Sequence, residues 1–337
     1  MMREKLLMWG DDFVAGFEAG MRQQKRDARL AKKAYTSIVF VGMGGSGMAG
    51  RLIQEVLLLR SKLAVEIVDG PLVPLHVQTG SLAFVTSYSG NTWETLHAYN
   101  ELQARAVDTI VLTSGGTLYR RAADAGNDTY LLPSGCVPRA ALAYMFGMQL
   151  GILNALSRAD VTEFVADIKA HWEGCKNVVA AQETYADYVR TMRDAQTVHV
   201  WGVYSDSVSA AYRLQTQLNE NSKVTAVMRT LPELNHNLLV GFDAQAQQEP
   251  IVILTTDFAH KLLKKSVESV LNVFKKRGVA LYKPTLLGDT WARQLAYSLW
   301  WADFASYYLG QERGCQIEQT PFIDNVKETF SRKMQEL

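Results

Sequence analysis

The chain switches repeatedly between two hydrophobic periods. Short apolar runs that end in glycine or a polar turn, SIVFVG, AVEIVDG, LAFVTS, TIVLTS and TYLLP, alternate with segments of helical spacing, one opening near Ser46 and another near Thr92. Continuous apolar runs of this length suit strands buried on both faces, with the helices as crossovers, so the order predicts a parallel, doubly wound α/β sheet. After a polar, helical stretch from about Thr162 to Asp194, the pattern restarts. TVHVWGV stands before SDSVSAAYRLQTQLNEN as SIVFVGM stands before GGSGMAGRLIQEV, and EPIVILTT precedes a helical segment as LAFVTSYSG does. This weak internal duplication predicts two such units. The chain divides accordingly into an N-terminal helical segment (residues 1–34), a first α/β domain (35–156), a helical connection (157–194) and a second α/β domain with C-terminal helices (195–337).

A chain of 337 residues, 48% of them hydrophobic, carries enough apolar material for both cores, and no proline- or glycine-rich linker separates them, so the domains should pack closely. The aromatic run AYSLWWADFASYYLG reads as a core helix first and as a helix against a partner chain second. A formal net charge of +1 leaves no electrostatic footprint for nucleic acid or an anionic membrane, and any anionic ligand must be held by a local site. ALAYMFGMQLGILNAL is interrupted by Gln149 and Asn154 and is too short to span a bilayer, and MMREKLLMWGDDF lacks a small-residue cleavage site, so the expected location is cytoplasmic. Cys136, Cys175 and Cys315 lie far apart with no CxxC spacing, which predicts neither a disulfide framework nor a metal site.

SYSGNT, Ser87 to Thr92, lies between an apolar strand and a helical segment. Loops at the carboxyl ends of parallel strands line the ligand crevice, and each following helix aims free N–H groups into it. Ser87, Ser89 and Thr92 offer hydroxyls there and Gly90 lets the backbone come close, a combination suited to a phosphate monoester. GMGGSGMAG also follows a strand and opens a helix, so Gly45 and Ser46 are expected to face the same anion. A helix cap with a turn glycine would explain either loop taken alone, whereas two loops converging on one crevice favour a ligand. The glycine pattern also admits a dinucleotide, for which Asp69 would be the only acid near the end of the next strand.

Six segments in order, GMGGSGMAG, SYSGNTWETL, PSGCVPRAALAYMFG, LNENSKV, ELNHNLLVGF and TPFIDNVKETF, resemble the bifunctional phosphoglucose/phosphomannose isomerase family, which has two sugar isomerase (SIS) domains. The resemblance implies a homodimer that interconverts aldose and ketose six-carbon sugar phosphates with no metal or cofactor. It makes Glu220 of LNENSK the base that moves a proton between C2 and C1, and Arg139 of VPRAA the group that stabilises the enediolate. His236 would help open the ring, reaching the site from a neighbouring subunit, and Lys327 would assist at O5 or bind a hydroxyl. Pro138 and Thr320 would line the sugar, and the small Thr320 would either leave the enediolate room to rotate, giving both aldose epimers, or only cap the helix begun by Pro321.

Arg213, Gln217 and Glu220 lie at i, i+4 and i+7 and should share one helical face. Leu238 and Arg51 stand where the family commonly has acids, which bears on substrate preference more than on reaction class. A phosphosugar-binding regulator without catalysis would keep SYSGNT but needs no base, so the presence of Glu220, His236, Lys327 and Arg139 together favours the enzyme.

Overall fold

The computed structural model describes residues 2–24, 28–58, 61–242 and 249–335. The five apolar runs of the first half form β1 (Ser37–Val41), β2 (Ala64–Val68), β3 (Ser81–Ser87), β4 (Asp108–Thr113) and β5 (Asp128–Leu131), all parallel, in the order β2-β1-β3-β4-β5. Every residue of the central β3 is buried, the environment its unbroken apolar run requires. Strand order reverses between β1 and β3, and a crevice opens at the carboxyl ends of strands at such a switch point. GMGGSGMAG leaves β1 and SYSGNT leaves β3, so the topology sets both loops at that crevice.

The second half repeats the plan. β6 (Thr197–Val203), β7 (Thr225–Leu231), β8 (Ile251–Ile253) and β9 (Leu281–Tyr282) are parallel in the order β7-β6-β8-β9, the first sheet's order with one strand fewer. β7 and β9 have no counterpart among the runs read from the sequence. β7 is an edge strand that mixes buried and exposed positions, and β9 is two residues long, so neither produces a continuous apolar run.

The Trp291–Glu312 helix is buried along most of its length, with Trp300, Trp301, Phe304 and Tyr308 inside, so the aromatic run is a core helix. The Trp300 ring meets Trp9 from the N-terminal helix (5.6 Å between centroids) and Trp172 from the connection (4.9 Å). No described helix is long and apolar enough to cross a membrane.

ALAYMFGMQLGILNAL forms the Leu142–Ala155 helix, and the N-terminal Trp9–Gln24 helix crosses it backbone against backbone. A Cβ on Gly16 would lie 2.2 Å from the Tyr144 carbonyl oxygen and one on Gly20 2.3 Å from that of Met148. From the other side, a Cβ on Gly147 would lie 2.0 Å from the Phe13 carbonyl oxygen and one on Gly151 2.2 Å from that of Phe17. Gly147→Ala should therefore destabilise the protein by about 2–3 kcal/mol, because backbone cannot swing aside as a side chain can. Gly174→Ala, in a helix with nothing near the new methyl, should instead stabilise by about 0.5–1 kcal/mol. Urea denaturation of both variants checks the contrast.

Candidate active site

The loop after β3 is built around its own hydroxyls. Ser87 is buried at the strand end, accepts the Gly90 N–H (3.1 Å) and donates to Thr92 Oγ1 (3.2 Å). Gly90 has φ +67°, and a Cβ there would sit 1.9 Å from the Gly115 carbonyl oxygen, so the turn admits only glycine. The neighbouring turn pins the loop from outside, with Ser114 Oγ donating to the Tyr88 carbonyl (2.6 Å) and the Thr117 N–H to Asn91 Oδ1 (3.0 Å). Ser89 is exposed and accepts the Asn91 N–H (3.3 Å). Thr92 is the N-cap of the Trp93–Ala104 helix, yet its side chain caps none of the N–H groups. The first turn of that helix thus keeps donors without intrahelical acceptors, at the end where the dipole favours an anion.

Ser46 joins the two loops, since its buried hydroxyl accepts the Tyr88 N–H at 3.0 Å. One residue earlier, Gly45 presses on the backbone of the third segment of the site. A Cβ there would lie 2.8 Å from Arg139 N and 3.0 Å from the carbonyl carbon of the exposed Pro138.

Arg139 is only 4% exposed, and its guanidinium fork is filled. Nη1 donates to Glu220 Oε2 (2.8 Å), Nε to Asn221 Oδ1 (3.0 Å) and Nη2 to the Ile317 carbonyl (2.7 Å). Burial lowers its pKa and the Glu220 carboxylate opposes that shift, so the group stays a cation. Beneath it the buried Arg213 donates to the Arg139 carbonyl (2.9 Å) and to Asp303 Oδ1 (2.6 Å). Burial pushes the Asp303 carboxyl up from its ordinary range and Arg213 pulls it back.

The sequence places Glu220 on a regular helical face with Arg213 and Gln217, and here the structure differs. The α-helix Val208–Gln217 ends at Gln217 and widens into a π turn, Leu218–Ser222, closed by Lys223 in the left-handed region (φ +53°). The cause is what the turn must reach. Asn221 and Ser222 are buried and bond to Ser306 of the core helix (3.0 and 2.8 Å), which leaves Glu220 at the crevice with 26% of its side chain exposed. Lys223 Nζ ties this turn to the C-terminal segment, bonding to the carbonyls of Glu220 (2.5 Å) and Gln319 (2.7 Å).

One chain thus brings Gly45, Ser46, Ser87, Ser89, Thr92, Pro138, Arg139 and Glu220 together, with the segment leading to Thr320 clipped alongside. Thr320 is half-buried, and its carbonyl accepts the Asp324 N–H (3.0 Å) where Pro321 opens the last helix, Pro321–Gln335. Lys327 is exposed on that helix. His236 stands apart, exposed on a short turn beyond β7 and without a hydrogen bond to Arg139 or Glu220. The two departures are accommodated locally. Leu238 packs on the second domain's apolar cluster, while Arg51 pairs with Asp69 and lies 4.4 Å from the Tyr212 ring centre. Asp69, the acid a dinucleotide ribose would need, is therefore engaged by Arg51. Asn221, Lys223 and the Ile317 carbonyl were not foreseen as parts of the site, although Asn221 and Lys223 stand inside LNENSK.

An anion seat on one sheet, completed by a charged pair bridging to a second sheet of the same strand order, is the layout of a two-domain sugar isomerase protein. The SIS domain model matches residues 30–134, and the model of the bacterial phospho-glucose isomerase C-terminal SIS domain matches residues 184–330. A bifunctional phosphoglucose/phosphomannose isomerase of Thermoplasma acidophilum is 28% identical over 92% of this chain and 94% of its own. A D-glucosamine-6-phosphate 4-epimerase of Sulfolobus acidocaldarius is 31% identical over 66% of this chain and 69% of its own. In fold, tagatose-6-phosphate ketose/aldose isomerase from Escherichia coli is similar with a TM-score of 0.72 at 14% identity, over 95% of this chain and 96% of that one. The chain belongs to the bifunctional phosphoglucose/phosphomannose isomerase family.

Arg139→Lys keeps the charge but puts its three donors on one nitrogen, which cannot stand in the three positions that Nε, Nη1 and Nη2 occupy. Acceptors left bare, with Asn221 Oδ1 and the Ile317 carbonyl at risk, should cost about 1–3 kcal/mol, read as a lower urea midpoint at unchanged slope.

Proposed function

We propose that the protein is an aldose–ketose isomerase that interconverts glucose 6-phosphate, and mannose 6-phosphate, with fructose 6-phosphate through a cis-enediolate, without a metal ion. The Arg139–Glu220 pair at 2.8 Å carries this reading. Isomerisation moves one proton between adjacent carbons while negative charge develops on their oxygens, so it needs a base and a fixed cation side by side. Glu220 carries the proton, and Arg139 stabilises the enediolate oxygens, a role that makes a metal unnecessary. The phosphate, unchanged in the reaction, binds at Ser87, Ser89, Thr92 and the Gly45–Ser46 turn and holds the sugar in place.

Ring opening falls to His236 and Lys327. An exposed His236 suits delivery from a neighbouring subunit, so the working form is a homodimer. Thr320, set by the Lys223 bond to Gln319, leaves space for rotation about C2–C3 and reprotonation on either face. Three free cysteines fit a cytoplasmic protein. A regulator that only bound phosphosugars would have no use for a carboxylate held against a buried guanidinium.

Incubation with fructose 6-phosphate plus a chelator, with products identified, should give both aldose epimers. Glu220→Gln should lower kcat by about 100- to 10,000-fold with little change in analogue binding. In heavy water the wild type should place deuterium at C2 of the aldose, and turnover of the variant at the wild-type rate would put the base elsewhere. Thr320→Gln should depress mannose 6-phosphate turnover more than glucose 6-phosphate turnover, and equal losses would leave Thr320 with only its place at the helix start.

A further inference from the structure

Glu55 has no part in the chemistry above, yet it is a buried carboxylate bound across the domain boundary. It lies in the last turn of the Gly44–Leu57 helix, whose other end is the glycine-rich loop at the anion seat. Its Oε1 accepts the N–H of Val208 (2.8 Å), and its Oε2 accepts the N–H of Ser209 (2.9 Å) and the Ser209 hydroxyl. These N–H groups open the Val208–Gln217 helix, which runs directly into the π turn carrying Glu220. The helix does not cap itself. The hydroxyl of its N-cap residue, Ser207, is diverted to accept the Val203 N–H (3.0 Å) and donate to the Leu254 carbonyl (2.7 Å). The cap comes from the first domain instead.

The two helices run antiparallel. Glu55 meets residues 208 and 209, and one turn further on Arg51 lies over Tyr212. Carried two turns further, the glycine-rich start of one helix comes level with the π turn of the other, where Gly45 touches Arg139 and Arg139 holds Glu220. We propose that Glu55 is a positioning residue: by capping the Val208–Gln217 helix from the first domain, it fixes the axial register between the anion loops and Glu220. A slip of one residue along a helix is about 1.5 Å, and misplacement of a reacting group by about 1 Å costs on the order of 100-fold in rate. Glutamine cannot replace the carboxylate, because its single oxygen leaves one N–H facing an amide donor. Desolvation pushes the Glu55 carboxyl up from its ordinary range while the three hydrogen bonds oppose that shift.

The inference rests on Glu220 being the base, and the test separates the two ideas. Glu55→Gln should lower kcat for fructose 6-phosphate by about 30- to 100-fold, with KM and the affinity for sorbitol 6-phosphate within about threefold of wild type. In the Glu220→Gln background the same change should add no further loss, since the clamp acts through that residue. Thr290→Ala, which removes the cap of the Trp291–Glu312 helix, serves as the stability control and should lower the melting temperature while leaving kcat intact. Ser209→Ala, which removes one of the three bonds to Glu55, should lower kcat by about three- to tenfold and decides the matter if Glu55→Gln does not fold. Unchanged kcat in whichever variant folds, a loss no larger than that of Thr290→Ala, or full additivity with Glu220→Gln overturns the clamp. Wild-type turnover by Glu220→Gln overturns the assignment of the base, and the clamp with it.

Discussion

A guanidinium removed from water sets the terms for this molecule. Burying a cation costs several kcal/mol even after relaxation, and the cost is offset only where every donor finds a partner of good geometry. Arg139 finds its three partners in two distant stretches of chain: Glu220 and Asn221 from the second half and the Ile317 carbonyl from the approach to the last helix. Its own carbonyl is held by Arg213, which is in turn paired to Asp303 on the core helix. Satisfying one charge therefore requires both sheets, the core helix and the C-terminal segment to be in place together.

This arrangement also shapes the chemistry. The Glu220 carboxylate is paired with the Arg139 guanidinium, so the two charges largely cancel as seen from the crevice. In the isomerisation proposed above, sugar oxygens that take up guanidinium N–H bonds release that carboxylate toward carbon. Fixed donors of this kind need little reorganisation when charge moves onto the substrate, which is where electrostatic catalysis gains over water. The loops after β1 and β3 are fixed in the same way, through Ser46 on Tyr88 and Gly90 against Gly115.

The features legible in the sequence were those written in local pattern. Five apolar runs became five parallel strands, and SYSGNT and GMGGSGMAG could be set at strand ends because loop and strand are contiguous. The edge strands of the second sheet were missed, since β7 is half solvated with apolar residues that do not form a run and β9 is two residues long. The π turn was illegible for a different reason: nothing in LNENSK opposes a regular helix, and the widening arises from Asn221 and Ser222 reaching Ser306, more than eighty residues away in the chain. Glu55 has the look of an ordinary helix glutamate until the second domain is in view. Arg139 and Glu220 could be named by resemblance, but that they touch is a fact of tertiary structure.

The crossing of the Trp9–Gln24 and Leu142–Ala155 helices has a consequence for how this sequence can drift. In an ordinary core an enlarged side chain can be answered by a smaller one opposite, so the two positions trade volume over time. At Gly16, Gly20, Gly147 and Gly151 the facing surface is already main chain, and there is nothing left to shrink. These four positions can exchange no volume with their neighbours. Because the second helix begins three residues after Arg139, even a small outward shift there would be passed toward the charged pair, so backbone packed on backbone at four glycines restrains the site from the far side of that helix.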